Sequence, residues 1–213
     1  FLGSEYDLTP TLDGLADDGV VFEHALAPGP RTPSSMPVVF TGEFVQDRNL
    51  GVYDDYEQKR SSWMDRQDRI RRHVDRFRTI PQRLRDRGYD TAGVTANPWT
   101  TRNTGFDAGF DVFHAVQERD DVRADSLPVA GAASRVLDAD LNEWLLTWPD
   151  FYDLVLESRA ELSEPYFLWV FLLDPHQPYL TPRRYREENS ALGMYYGNLQ
   201  YNRAYGYTDD LPT

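Results

Sequence analysis

Hydroxyl residues cluster within residues 29–44, where the chain reads GPRTPSSMPVVFTGEF. Thr32, Ser34 and Ser35 precede a short apolar run that ends at Thr41-Gly42. Such a pattern is typical of a capped helix start, and it can also present a nucleophile at a helix N-terminus. Unpaired N–H groups and the positive end of the helix dipole favour an anionic substrate and a developing alkoxide there. An alcohol still needs a base or a metal to ionise near neutral pH.

A second loop that could carry chemistry, DPHQPY, follows the most apolar stretch of the chain, YFLWVFLL at residues 166–173. Ligands of open α/β sheets bind at the carboxyl ends of strands. Histidine exchanges protons near neutral pH, so His176 is a candidate acid or anion contact, and its alternative is a turn residue held between two prolines. Asp174 could orient His176 or cap the turn.

The elements that must position these loops follow from periodicity and from turn residues. Thr9 and Pro10 predict a helix start and Gly19 its end, and Thr79 with Pro81 predicts a second helix start inside a helical stretch at 62–87. We expect strands at 20–27, 89–97 and 165–173, a glycine-punctuated loop at 105–113 that ends in a strand, a long helix at 129–148 and an insertion at 149–165. Helices alternating with short apolar strands predict an α/β layered domain with a mostly parallel sheet.

Composition limits the classes of partner. The chain has 213 residues, 40% hydrophobic and 14% aromatic, which is a globular composition. Its 22 basic and 35 acidic residues give a net charge of −13, which argues against nucleic acid or an anionic membrane as the main partner. Lys59 is the only lysine, and an aspartate-rich surface nearly without lysine is associated with the cytoplasm of halophiles, where salt screens the charge. The composition leaves the oligomeric state open.

Two kinds of feature are missing from the sequence. It contains no cysteine, which excludes disulfides, thiolate metal sites and cysteine nucleophiles. Its longest apolar run is far shorter than the roughly 20 residues of a membrane helix, so no membrane segment is expected in this chain.

Four segments together resemble the sulfatase family of the alkaline-phosphatase superfamily, in a haloarchaeal-type member. They are TPTLDGLADDGVVFEHALAPGPRTPSSMPVVFTG, TIPQRLRDRGYDTAGVTANP, GFDAGFDVF and FLWVFLLDPHQPYLTP, in that order. The resemblance implies an alkaline-phosphatase-like layered fold, mostly parallel sheet with helices on both faces, incomplete in this chain. Residues 1–213 would form part of a single sulfatase-like α/β domain.

The resemblance also implies roles for residues of the first loop. The family motif places Thr32 at the nucleophile, which is also a metal ligand, Ser35 at the motif serine, and Met36 where the family has arginine. Threonine is not a source of the formylglycine of true sulfatases. It is the nucleophile in superfamily relatives that cleave or transfer phosphoryl groups.

The remaining roles fall on the loops that follow two strands. His176 matches the histidine that contacts the sulfuryl or phosphoryl oxygens or protonates the leaving group, with Asp174 beside it. The place of the family's Lys-x-His element reads Thr-Ala-Asn-Pro-Trp, where Asn97 could offer an amide to a substrate oxygen or simply form an Asn-Pro turn.

A divalent metal, Ca, Mg, Mn or Zn, is implied for the complete protein, with its other ligands outside this chain. No metal is expected to bind tightly to these residues alone, and the isolated chain is expected to be inactive. The resulting hypothesis is a metal-dependent hydrolase of small-molecule sulfate or phosphate esters. The alternatives are a degenerate non-catalytic family member and a phosphoryl transferase on the same scaffold.

Overall fold

The computed structural model describes residues 9–44, 63–118, 148–174, 176, 193, 196–198 and 200. The helices are α1 (Pro10–Asp18), α2 (Thr32–Thr41), α3 (Trp63–Arg76), α4 (Ile80–Arg85) and α5 (Trp148–Ala160), and the strands are β1 (Asp90–Thr95), β2 (Val112–Ala115) and β3 (Tyr166–Phe171). Short 3₁₀ turns occupy Arg102–Thr104 and Val116–Glu118.

The three strands form a parallel sheet in the order β2-β1-β3. Gly93 of the central strand lies opposite Phe113 of β2 and Trp169 of β3. A Cβ at Gly93 would stand 2.9 Å from Cδ2 of Phe113 and 3.0 Å from Cζ of Phe110. The glycine therefore allows aromatic rings to pack directly on the backbone of β1.

Helices cover both faces of this sheet. On one face α5 packs against β1, in a cluster of Val94, Ala96, Val116, Phe151, Leu154, Val155 and Leu173. On the other face α2 and α3 contribute to a largely aromatic cluster of Phe40, Ile70, Val74, Phe106, Phe110, Phe113 and Ala115. The predicted α/β class, parallel sheet and helices on both faces are confirmed.

Local sequence signals account for the segment that leads into β1. The Thr79 hydroxyl accepts the backbone N–H of Gln82 at 3.3 Å, and the Gln82 side chain accepts the Thr79 N–H at 3.0 Å. This capping box starts α4, with Pro81 in its first turn where no N–H is required. Gly88 then adopts φ 83° in the turn before β1.

Two predicted segments differ from the structure. Residues 20–27 were expected to form a strand, but they have no strand structure, and Val20, Phe22 and Leu26 are 80%, 79% and 93% exposed. The expected insertion at 149–165 is mostly helix α5, whose buried Phe151, Leu154, Val155 and Ser158 form one helical stripe. The long helix expected at 129–148 lies outside the described residues apart from Trp148, which begins α5.

No helix among the described residues has both the length and the apolar character needed to cross a bilayer.

Candidate active site

The hydroxyl groups of residues 29–44 differ in whether they form hydrogen bonds that cap helix α2. Thr32 is the first residue of α2, after an extended Arg31. The buried Ser34 closes the turn, since its hydroxyl donates to the Arg31 carbonyl at 2.9 Å and accepts the Arg31 N–H at 3.3 Å. Gly29 permits this packing, because a Cβ there would stand 2.3 Å from the Ser34 hydroxyl oxygen. Ser34 therefore caps the helix, and Thr32 does not.

Asn97, in the loop that follows β1, contacts Thr32. It lies two residues beyond the strand and is only 4% exposed. Its Nδ2 donates to the Thr32 Oγ1 at 3.4 Å, while its Oδ1 accepts the backbone N–H of Trp99 at 2.9 Å. The Trp99 N–H can only be donated, so it fixes Oδ1 as the acceptor and directs the NH₂ group at Thr32. Asn97 thus forms the Asn-Pro turn and contacts the candidate nucleophile at the same time.

The base of this turn is a buried hydroxyl pair. The Thr95 and Thr100 hydroxyl oxygens lie 2.6 Å apart, and Thr95 Oγ1 accepts the Asn97 N–H at 3.1 Å. Thr95 and Thr100 are completely buried. The Asn97 backbone is therefore held by interior hydrogen bonds, which limits the positions that its amide can take.

Ser35 and the DPHQPY loop have weaker structural links to Thr32 than Asn97 has. Ser35 is half-buried in the first turn of α2, three residues after Thr32, and its N–H donates to the Arg31 carbonyl at 3.0 Å. His176 is exposed, and its N–H donates to the Leu173 carbonyl at 2.7 Å. Among the described residues no hydrogen bond joins Thr32 to either of them.

Asp174 is engaged with a helix start. Its Oδ2 accepts the backbone N–H of Trp148, the first residue of α5, at 2.9 Å. The Ala96 N–H donates to the Phe171 carbonyl at 3.0 Å, so the chains leaving β1 and β3 emerge at the same edge of the sheet. Asn97 and Asp174 therefore share the carboxyl edge of the sheet, where sites in such folds lie.

Sequence reasoning missed a cation and two indole rings next to Asn97. Trp63 of α3 stacks on Trp99 with ring centroids 3.9 Å apart, and the guanidinium carbon of Arg66 lies 5.8 Å and 5.3 Å from the two centroids. The signal available was the presence of two tryptophans in polar surroundings, but their pairing across distant positions is not visible in the sequence.

One of the described titratable groups has a displaced pKa, and it lies at the opposite end of α2. Burial lowers the pKa of His73, while the backbone of Glu43 raises it and Arg76 lowers it by charge repulsion. His73 Nε2 lies 3.2 Å from the hydroxyl oxygen of Thr41, the last residue of α2. His73 is therefore a link between helices and not part of the Thr32 site.

Comparison with protein-family models gives one match, to the family described as Sulfatase, over residues 1–211. The chain belongs to the sulfatase family. Neither curated proteins nor solved structures gave a significant match. Membership places the chain in the alkaline-phosphatase superfamily among sulfatase-like hydrolases, a family that acts on sulfate esters and generally uses a divalent metal.

The described residues do not by themselves fit the family's metal. They include no group of three or more histidine, cysteine, aspartate or glutamate side chains that could hold an ion. Thr32 is the one expected ligand that the structure places, and its neighbour Asn97 is oriented as a donor rather than as a ligand.

Proposed function

We propose that this sulfatase-family protein is a metal-dependent hydrolase of sulfate or phosphate esters in which Thr32 is the nucleophile. The observation that supports this most directly is the Asn97 amide directed at the Thr32 hydroxyl oxygen, at 3.4 Å and at the N-terminus of α2. A donor aimed at that oxygen stabilises the alkoxide more than the neutral hydroxyl, because hydrogen bonds to the charged form favour it.

In this proposal the Thr32 oxygen attacks the sulfur or phosphorus atom of the ester. The Thr32 hydroxyl loses its proton to solvent as the bond from Oγ1 to that atom forms. The bond to the ester oxygen breaks, and the leaving alcohol takes a proton, for which His176 is the candidate donor. Water then attacks the same atom and releases sulfate or phosphate, which restores the Thr32 hydroxyl. Ser35, Asn97 and Asp174 are the proposed contacts around the anion.

The threonine favours a phosphoryl group over a sulfuryl group within this proposal. The family's sulfate chemistry depends on an aldehyde that threonine does not provide, whereas an alcohol can attack phosphorus once it is ionised. A bound divalent ion would supply Lewis acidity, with its remaining ligands outside the residues that the structure describes.

Hydrolysis by the full-length protein tests the proposal. The protein is assayed at high salt with p-nitrophenyl phosphate and p-nitrophenyl sulfate, with Mg²⁺, Ca²⁺, Mn²⁺ and Zn²⁺ in turn. We expect Thr32→Ala to lower kcat/KM by at least about 1,000-fold, as loss of a nucleophile does. Thr11→Ala, at an exposed position of α1, is the matched control and should leave kcat/KM unchanged.

Acid quenching followed by mass spectrometry tests the covalent step. We expect a phosphorylated or sulfated peptide that contains Thr32, and none in the Thr32→Ala protein. Turnover that survives Thr32→Ala would contradict the nucleophile, and absence of turnover with every metal and ester would favour the degenerate, non-catalytic alternative. Turnover only when an alcohol acceptor is added would favour the transferase.

A further inference from the structure

Arg66 occupies an unusual position for a charged residue. It is half-buried on α3, with its guanidinium over the rings of both Trp63 and Trp99. The indole pair gives the side chain a rigid apolar support and an attractive cation–π contact. A guanidinium held in this way keeps its planar orientation with little loss of freedom when it later binds a ligand.

The charge of Arg66 is not neutralised within the described residues. Its buried Nε has no hydrogen-bond partner there, and the ion pairs of those residues involve other arginines: Arg71–Asp75, Arg78–Asp86 and Arg102–Glu118. Buried polar atoms are almost always paired in proteins, so an unpaired one requires an explanation. A ligand that accepts hydrogen bonds is one.

Two sets of contacts relate Arg66 to the Thr32 end of α2. The Thr41–His73 contact joins the C-terminal ends of α2 and α3. Ser34 lies seven residues before Thr41, and Arg66 lies seven residues before His73, which is about two helical turns in each case. If the helices run side by side, Ser34 and Arg66 are therefore at similar heights along their axes. Phe40 and Ile70 belong to one core cluster, which shows that the two helices pack together.

The second contact comes from the loop after β1. Arg66 packs on the Trp99 ring, the Trp99 N–H is donated to Asn97, and the Asn97 amide is donated to Thr32. Trp99 thus orients Asn97 through its N–H and supports the Arg66 guanidinium through its ring. The Thr41 end of α2 contacts His73 directly, and the Thr32 end is linked to Arg66 through Asn97 and Trp99, an order that fits two helices running in the same direction.

We propose that Arg66 contacts the charged oxygens of the sulfate or phosphate ester that reacts at Thr32. The inference rests on the proposed function for the class of substrate. The guanidinium fork matches two oxygens of a tetrahedral anion, and such charge-assisted hydrogen bonds are among the strongest in proteins. Met36, one helical turn after Thr32, carries no charge, and Arg66 would supply a positive partner for the anion from α3.

The contact can be tested without turnover. The full-length protein is titrated with inorganic phosphate and with sulfate in a constant chloride background, and its tryptophan fluorescence is measured. We expect anion binding to change the emission, because Arg66 lies on two indoles. Arg66→Met keeps the aliphatic packing and should weaken anion binding roughly 10- to 100-fold, and Arg66→Lys, which keeps the charge but loses the fork, should fall between. Arg72→Met removes one charge from an exposed position of α3 and should match the unaltered protein.

The outcomes separate this inference from the proposed function. Anion binding that depends on Arg66 but no esterase activity supports the inference and contradicts hydrolysis. Thr32-dependent hydrolysis with anion affinity and KM unchanged in Arg66→Met supports hydrolysis and overturns the inference. Equal losses in Arg66→Met and Arg72→Met would also overturn it, since they would reflect net charge alone. Thermal unfolding curves of all variants check that each remains folded.

Discussion

At the scale of single residues, Asn97 makes two side-chain hydrogen bonds whose effects substitutions can separate. Its Oδ1 satisfies the Trp99 N–H, whereas its Nδ2 reaches Thr32 over a longer 3.4 Å contact. We predict that Asn97→Ala lowers the free energy of unfolding by about 1–3 kcal/mol, because it leaves the turn without its acceptor. Thr32→Val, which keeps the shape of Thr32 but loses the hydroxyl, should cost less than about 1 kcal/mol.

Chemical denaturation of the two variants and of the unaltered protein measures this difference. Equal losses of stability would show that the Thr32–Asn97 contact is structural and not an arrangement for chemistry. Activity measured on the same samples should fall in both variants, so Thr32→Val is the informative one. It is expected to lose turnover while retaining stability.

The residues of the site could be predicted in part from the sequence. Thr32 and Asn97 are singled out by the resemblance to the family, Thr32 by its place in the nucleophile motif and Asn97 by its place after a buried strand, and the structure brings the two side chains together. Arg66 could not be predicted in this way, because its significance depends on Trp99, which is 33 positions away and belongs to another element. Long-range pairs of this kind are fixed by packing and leave no mark in either local sequence.

At the scale of elements, glycine has opposite effects on stability at the end of one helix and in the interior of another. Gly42 ends α2 in the left-handed region at φ 74°, whereas Gly14 lies inside α1, and no atom is within 4 Å of where a Cβ would stand at either position. The two sites therefore differ in backbone conformation and not in available space. We predict that Gly42→Ala destabilises the protein by about 1–2 kcal/mol and that Gly14→Ala stabilises it by about 0.5–1 kcal/mol.

Thermal or urea unfolding of the two single variants measures both changes with the same substitution. Gly14→Ala is the matched control for any general effect of an added methyl group. If Gly42→Ala were neutral, the left-handed conformation at the end of α2 would not be required for stability.

The junction of α2 and α3 should make stability depend on pH. His73 is 5% exposed, and burial lowers its pKa from the ordinary value of 6.5. As the pH falls below about 6.5, the unfolded chain binds a proton that the folded protein resists, so the free energy of unfolding should decrease until the lowered pKa is passed. The stability that His73 contributes is therefore fully present above about pH 7 and is lost under mild acid.

Urea unfolding between about pH 7.5 and 5.5 measures this slope, which cannot exceed about 1.4 kcal/mol per pH unit for one group. His73→Gln keeps an N–H donor toward Thr41 without a titrating ring, and should flatten the curve. His24→Gln removes an imidazole from an exposed position and serves as the control. An unchanged slope in His73→Gln would mean that other groups carry the dependence.

Prediction of the elements succeeded where capping and burial agreed. Thr79 and Pro81 mark the start of α4 by local chemistry, and the apolar runs at β1 and β3 form strands, of which β1 is buried and β3 half-buried. The apolar residues 20–27 were misassigned, because a strand also needs a partner, and these residues are exposed without one among the described elements. Helix α5 was missed although its buried residues recur at helical spacing, because residues 149–165 were interpreted as an insertion before the last strand.

At the scale of the whole molecule, the charge of −13 should govern stability through salt. Like charges repel one another in the compact state, and the screening length falls from about 10 Å at 0.1 M salt to about 3 Å at 1 M. We predict that the unfolding temperature rises between about 0.1 and 2 M KCl, as the halophilic interpretation of the composition requires.

A charge-reduced variant distinguishes screening from a general salting-out effect. Asp17, Asp18, Glu23 and Asp153 are exposed, and none takes part in the ion pairs of the described residues. Changing all four to the corresponding amides brings the net charge from −13 to −9, since four negative charges are removed. The variant should be more stable than the unaltered protein at low salt and should gain less from added KCl. Identical salt curves for the two proteins would show that repulsion between carboxylates does not limit this fold, and the halophilic interpretation would lose its physical basis.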